Sequence, residues 1–160
     1  MKVYHGGTSI IKSPLVNVGR AGLDFGEGFY ITDNKEQAIE WAKKMADRRQ
    51  TIPIINAYNI DIDYIYENFQ CLKFENYDID WLNFIADNRK GLNNWQKYDL
   101  IEGGVADDRV VDTVESYIAE LISANEALKR LIYHKPNNQI CILNQDIANN
   151  HLKFIDYIKL

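Results

Sequence analysis

Two cysteines, three prolines, three histidines and no long apolar run are all that this 160-residue chain offers of several informative features. Cys71 and Cys141 lie in apolar, strand-like stretches, so each reads as a small buried hydrophobe and not as half of a disulfide framework. A reducing compartment follows from that reading. No stretch is apolar enough for a signal peptide or a membrane helix, which predicts a soluble cytoplasmic protein with no membrane partner. His134 and His151 have no metal-ligand spacing with either cysteine, so no metal site is expected. There is no G-x-x-x-x-G-K-[ST] phosphate loop, and Gly26-Glu27-Gly28 lacks the third glycine of a dinucleotide fingerprint. The formal net charge of −5 argues against broad attraction to nucleic acid, and the Lys43, Lys44, Arg48, Arg49 cluster reads as the solvated face of a helix.

What is present is one core's worth of apolar residues. With 46% hydrophobic content and no low-complexity linker, residues 1–160 read as a single domain. The order of elements is an α/β alternation without a repeat. Residues 34–49 read as a helix that Thr32-Asp33 can cap, with Ala38, Trp41, Ala42 and Met45 on its core face. Strands are expected over 51–61, where Pro53 suggests a sheet edge, and over 69–74. A helix is expected over 79–89, then a buried strand over 98–101 running into Glu102-Gly103-Gly104. A helix over 109–121 starts at Asp107 or Asp108, and Ser123 to Glu126 forms a capping box for a helix ending at Tyr133. The last third holds two strands, 139–143 and 152–158, around a polar connection.

Three fragments carry chemistry. Tyr4-His5-Gly6-Gly7 ends a short strand in residues whose missing Cβ atoms admit a ligand close to the backbone. On its own such a fragment is more often a turn with a solvated histidine. Gly26-Glu27-Gly28-Phe29-Tyr30 places an aromatic after a glycine-rich turn, where the ring can stack on a heteroaromatic ligand. In the third fragment Asn137 and Gln139 share strand parity after Pro136, so both amides project to one side. Residues 12–26, rich in glycine, read as a loop or lid, with Arg20 as its cation.

Tyr-His-Gly, then Gly-x-Gly-Phe-Tyr before a helix, then Asn-Gln-Ile opening a late strand, is similar to the three-part His, Tyr, Glu pattern of ADP-ribosyltransferases of the diphtheria-toxin and poly(ADP-ribose) polymerase type. In polymerase-type members the histidine also sits in a strand before glycine, the tyrosine follows Gly-x-Gly, and the third residue opens a strand after asparagine. Gly19-Arg20, Leu23-Asp24-Phe25-Gly26 and Gly103-x-Val105-Ala106-x-Asp108-Arg109 further resemble a family of small bacterial, toxin-like proteins grouped with distant members of that superfamily. The matched fragments run from His5 to Gln139, and the middle third of the chain shows no match.

The resemblance implies an α+β fold: a split β-sandwich of two small, mostly antiparallel sheets flanked by helices, with an NAD cleft between them. It implies that His5 bonds a ribose hydroxyl, the Gly6 backbone holds the nicotinamide carboxamide, and Tyr30 stacks on the nicotinamide ring. Thr8, Arg20, Gly28 and Phe29 complete the NAD-binding set, with Arg20 as a candidate diphosphate clamp. Gln139 stands where the family has its acid, so His5, Tyr30 and Gln139 are the catalytic candidates. An amide accepts a hydrogen bond but supplies neither full negative charge nor a general base. Transfer of a single ADP-ribose to a protein or nucleic-acid acceptor is therefore favoured over polymer formation. Asp107, Asp108 and Glu27 are substitute acids to weigh against simpler roles as helix-start and turn residues. A neutralising partner protein fits the toxin-like reading. The alternatives are a catalytically silent NAD- or partner-binding module and an RNA-directed phosphotransferase, which would need more basic residues around the cleft.

Overall fold

A computed structural model describes residues 1–19 and 22–160. It is an α+β structure whose two sheets are built as β1 (Lys2–Gly7), β3 (Ile54–Ile60) and β7 (Leu152–Lys159) in one, and β2 (Phe29–Ile31), β6 (Asn138–Ile142), β5 (Leu100–Gly104) and β4 (Cys71–Lys73) in the other. All pairings are antiparallel except β4 with β5. Six α-helices are placed among the described residues: α1 (Lys35–Arg49), α2 (Ile62–Asn68), α3 (Ile79–Arg89), α4 (Val111–Ile118), α5 (Ala124–Leu131) and α6 (Gln145–Asn150). None is long and apolar enough to cross a membrane.

Both sheets bury residues on two faces, although β7 beyond Leu152 is largely exposed. Val3, Tyr58, Ile60 and Leu152 from the first sheet meet Phe29, Ile31, Leu100, Ile140 and Ile142 from the second, so the main core is a layer between the sheets. Ile65 of α2 and Ile147 of α6 join that core. On the far side of the four-stranded sheet, Ile101 and Cys141 pack against Trp81, Leu82, Val114 and Leu131 of α3, α4 and α5. Helix α1 covers the far side of the other sheet through an alanine stripe, Ala38, Ala42 and Ala46, all buried. The two sheets join at one seam: Tyr4 N–H donates to Thr32 O (2.8 Å) and Thr32 N–H donates to Tyr4 O (2.9 Å).

Several expected boundaries move for identifiable reasons. Asn34, and not Thr32-Asp33, caps α1, its side chain accepting from Gln37 N (3.3 Å). The Thr32 hydroxyl is used elsewhere, donating to Asn138 O (2.8 Å) and so tying β2 to β6. Pro53 does not mark an edge: β3 is the central strand of its sheet, and Pro53 lies just before it, where only its carbonyl is used, by Leu160 N. Helix α2 was not expected from the sequence; it is a seven-residue element held by one buried residue, Ile65. Helix α4 runs only from Val111, behind an uncapped Val110, to Ile118, inside the expected 109–121. Helix α5 has the expected Ser123 cap on Glu126 N (3.2 Å) but ends at Leu131, leaving Tyr133 exposed. The connection between β6 and β7 is helical.

The α1 stripe works because the strand beneath it has no side chain at one point. A Cβ on Gly6 would lie 2.0 Å from the Ala38 carbonyl oxygen, so the bare backbone is what lets the helix lie this close. Gly6→Ala is expected to lower stability by about 1–3 kcal/mol, the usual range for overpacking, because helix or strand must shift. Urea unfolding would show this as a lower midpoint at an unchanged slope.

Candidate functional site

A cleft of about 860 Å³ surrounds the seam between the sheets. Its walls are the β1 end (Tyr4 to Gly6), the β2 strand with Gly28 and Thr32, the α1 face carrying Gln37 and Trp41, the 105–109 loop after β5, and Asn137 and Gln139 at the start of β6. The three sequence fragments, separated by as many as 134 positions, thus line one space.

His5 is fixed by two contacts. Its Nδ1 lies 2.7 Å from Tyr30 O, and its ring stacks on Phe29 at 4.5 Å between centroids. A carbonyl oxygen only accepts, so Nδ1 carries the hydrogen and Nε2 keeps its lone pair. Burial holds the imidazole below its ordinary pKa, outweighing the opposing effect of the Tyr30 hydrogen bond. The ring is therefore a neutral acceptor at pH 7. Tyr30 is held at its other end: its hydroxyl donates to Gly26 O (2.6 Å) and accepts from Phe25 N (3.1 Å), which ties the glycine turn to the strand. Burial, and then the neighbouring Cys141, push the phenol far above its usual pKa, so it serves as a positioned ring and not as an acid or base.

Gln139 is buried, with its Nε2 lacking a protein hydrogen-bond partner among the described residues. A buried amide atom without a partner costs stability, about 1–3 kcal/mol; Asn88 Oδ1, outside the cleft lining, is the other such atom among the described residues. Asn137 lines the same wall, as strand parity requires, and donates to Asp107 Oδ2 (2.8 Å). Partial burial works to raise the Asp107 carboxyl, but the Arg109 hydrogen bonds and charge dominate and hold it below the ordinary range. Arg109 Nε lies 3.0 Å from Asp107 Oδ2, and Arg109 Nη2 donates to Lys135 O (3.0 Å).

Beneath this loop lies a second clamp. Arg89 of α3 forms a largely buried pair with Asp24 (2.7 Å from Nη2 to Oδ1), and the other Asp24 oxygen accepts from Ala106 N (3.1 Å). One carboxylate thereby joins the glycine-rich segment, α3 and the 105–109 loop. Across the mouth, Lys44 of α1 reaches Asp108 at 2.9 Å, with both side chains exposed.

The sequence-derived set separates as follows. His5, Gly6, Gly28, Phe29, Tyr30 and Gln139 all line the cleft. Thr8 does not: it lies just beyond β1, where its hydroxyl accepts from Arg49 Nη1 (3.0 Å) at the end of α1. Arg20 lies outside the described residues. Asp107 and Asp108 are on the cleft wall, whereas Glu27 is not part of it. Gly6 and Gly28 both have packing reasons to be glycine, since a Cβ on Gly28 would lie 2.4 Å from Cys141 Sγ.

Several cleft residues escaped the sequence reading as site residues, among them Asp24, Gln37, Glu40, Trp41, Lys44 and Arg89. Trp41 is a correction. The apolar spacing assigns it to the core face of α1, yet it is 46% exposed because the alanine stripe at i, i+4 and i+8 takes that face and turns the indole toward the cleft. The run of alanines was the available signal.

This arrangement defines a class: an α+β protein with a largely apolar cleft, carrying several polar and charged side chains, at the junction of two sheets. The chain belongs to the family described as proteins of unknown function (DUF3990), which it matches over residues 1–154. No curated protein and no solved structure matches it significantly.

The His5 environment has a pH signature. Because the folded-state pKa lies below the unfolded value of about 6.5, neutral His5 contributes stability that is fully present above that value. That contribution is lost as pH falls toward and through the folded pKa. Between pH 7.5 and 5.5 the wild type is expected to lose stability faster than His5→Asn, measured by urea midpoints at each pH.

Proposed function

We propose that this protein transfers a single ADP-ribose from NAD to a macromolecular acceptor, on a split β-sandwich of the ADP-ribosyltransferase kind. The observation that carries the reading is the convergence of His5, Tyr30 and Gln139, from three strands, on one cleft, with the buried Gln139 Nε2 lacking a hydrogen-bond partner among the described residues. The cleft volume of about 860 Å³ also falls within the roughly 300–1,000 Å³ typical of small-molecule sites.

In this reading the Nε2 lone pair of neutral His5 accepts a hydrogen bond from a ribose hydroxyl. The Tyr30 ring, oriented by its fixed hydroxyl, stacks on the nicotinamide. The Gln139 amide engages the ribose at the reacting carbon. The glycosidic C–N bond breaks with its electron pair leaving on nicotinamide, the acceptor's lone pair forms the new bond to the same carbon, and the acceptor's proton passes to water. Gln139 orients the sugar but adds no negative charge to the cationic centre, so the reaction relies on a good nucleophile. Losing one aimed electrostatic stabiliser costs on the order of 10²–10³ in rate, which slows such an enzyme without silencing it.

Calorimetry with NAD is expected to give a binding isotherm. His5→Ala should weaken it roughly tenfold, the worth of one hydrogen bond of about 1.4 kcal/mol. No heat from a folded sample would end the NAD reading. Incubation with labelled NAD and cell extract is expected to label a macromolecule. Gln139→Glu should raise the rate by on the order of 10², increasingly so as pH rises and the buried carboxyl ionises. NAD binding without transfer by either protein would instead favour a silent NAD-binding module.

A further inference from the structure

The sheet that carries His5 has two edges, and they differ. The β1 edge is engaged by the seam of Tyr4 and Thr32, whereas β7 has β3 on one side and no strand on the other among the described residues. Hydrogen bonds fix which backbone groups of β7 face outward. Leu160 N–H donates to Pro53 O (3.0 Å), so Leu160, and by alternation Ile158, turn their backbone groups toward β3. Tyr157 and Lys159 therefore turn theirs out of the sheet. Accordingly the Tyr157 N–H finds its partner off the ladder, in the Asp156 carboxylate (2.8 Å to Oδ1).

The side chains along this edge are apolar on both faces. Ile158 and Leu160, 43% and 47% exposed, share the face on which Ile55 is covered by α1, but α1 lies over β1 and β3. Tyr157, on the opposite face, is exposed as well. An unpaired edge with open apolar side chains is a template for another strand, which it binds through main-chain hydrogen bonds.

We propose that the β7 edge pairs antiparallel with the β7 edge of a second copy of this chain, about a two-fold axis at Ile158. The occupant follows from parity and charge. Directly opposite residues of an antiparallel ladder share one backbone orientation, so the axis must set a residue against its own copy. An axis at Asp156 sets carboxylate on carboxylate and Lys153 on Lys159, and an axis at Lys159 sets lysine on lysine; both repel. An axis at Tyr157 sets Lys159 against Ile155, the residue left unpaired by the bulge in β7. Ile158 remains. An axis there sets Ile158 on its copy and each Tyr157 beside the partner's Lys159, an aromatic paired with a cation, and no like charges meet. Tyr157 N–H then donates to the partner's Lys159 O, and the Asp156 carboxylate yields its place. Asp156 thus guards the edge, so association is weak and rises with concentration. The pairing is independent of the NAD reading, since β7 lies outside the cleft lining.

Sedimentation equilibrium on the full chain, at concentrations up to about 1 mM, should move from the monomer mass of 18.6 kDa toward twice that value. Ile158→Lys, which sets two lysines at the axis, should stay monomeric. Ile155→Lys, outside the paired segment, should associate as the wild type does, and Asp156→Ala should associate several-fold more tightly. All three positions are exposed, and near-ultraviolet circular dichroism checks each fold. Hydrogen exchange on the wild type locates the contact without any variant: the Tyr157 and Lys159 amides should gain protection as concentration rises. A monomer at every concentration would overturn the proposal. So would a dimer that folded Ile158→Lys still forms, or one in which those two amides exchange as fast as in the monomer. Weaker association in Asp156→Ala would overturn the guarding role.

Discussion

Three hydrogen bonds within a few residues of one another hold the two halves of this structure in register. Tyr4 and Thr32 exchange backbone bonds across the seam, and His5 Nδ1 reaches Tyr30 O beside them. The main core fills the space between the sheets, but hydrophobic packing is non-directional and does not by itself fix their relative position to hydrogen-bond accuracy. The seam does. It also sets the His5 tautomer, so the contact that aligns the sheets leaves one ring nitrogen open as an acceptor.

The charged groups divide into a rigid set and a loose set. Asp24 and Arg89 are largely buried and linked to backbone, and Asp107 is held by both Arg109 and Asn137. These clamps bring loops from distant parts of the chain against the sheet and give the cleft a fixed floor. At the mouth, Lys44 and Asp108 meet in water, where an ion pair is weak and exchangeable. The small residues serve packing as much as access: Gly6 admits α1, and Gly28 admits Cys141.

Much of the fold was legible because period and punctuation agreed. Alternating β-branched runs marked the strands, the spacing from Ile79 to Arg89 marked α3, and Ser123 with Glu126 marked the start of α5. Helix α2 was hidden because its seven residues mix acids and tyrosines, and only Ile65 commits it to the core. Pro53 was misread because a proline just before a strand needs no sheet edge. Trp41 was misplaced because a single helix offers adjacent apolar faces, and size suggested the tryptophan where close approach selected alanine.

By itself the sequence determined the chemistry available: a histidine and a tyrosine beside glycines, and an amide pair of common parity at the head of a late strand. These are local properties, set by backbone period and by missing Cβ atoms. Only the tertiary structure decided which groups share a space. It left Thr8 on the outside, turned Trp41 inward to the cleft, and brought Asp24 to Arg89 and Lys44 to Asp108. Those pairings span 64 or more positions, and what places them is the packing of helices on sheets, to which no short stretch of chain has access.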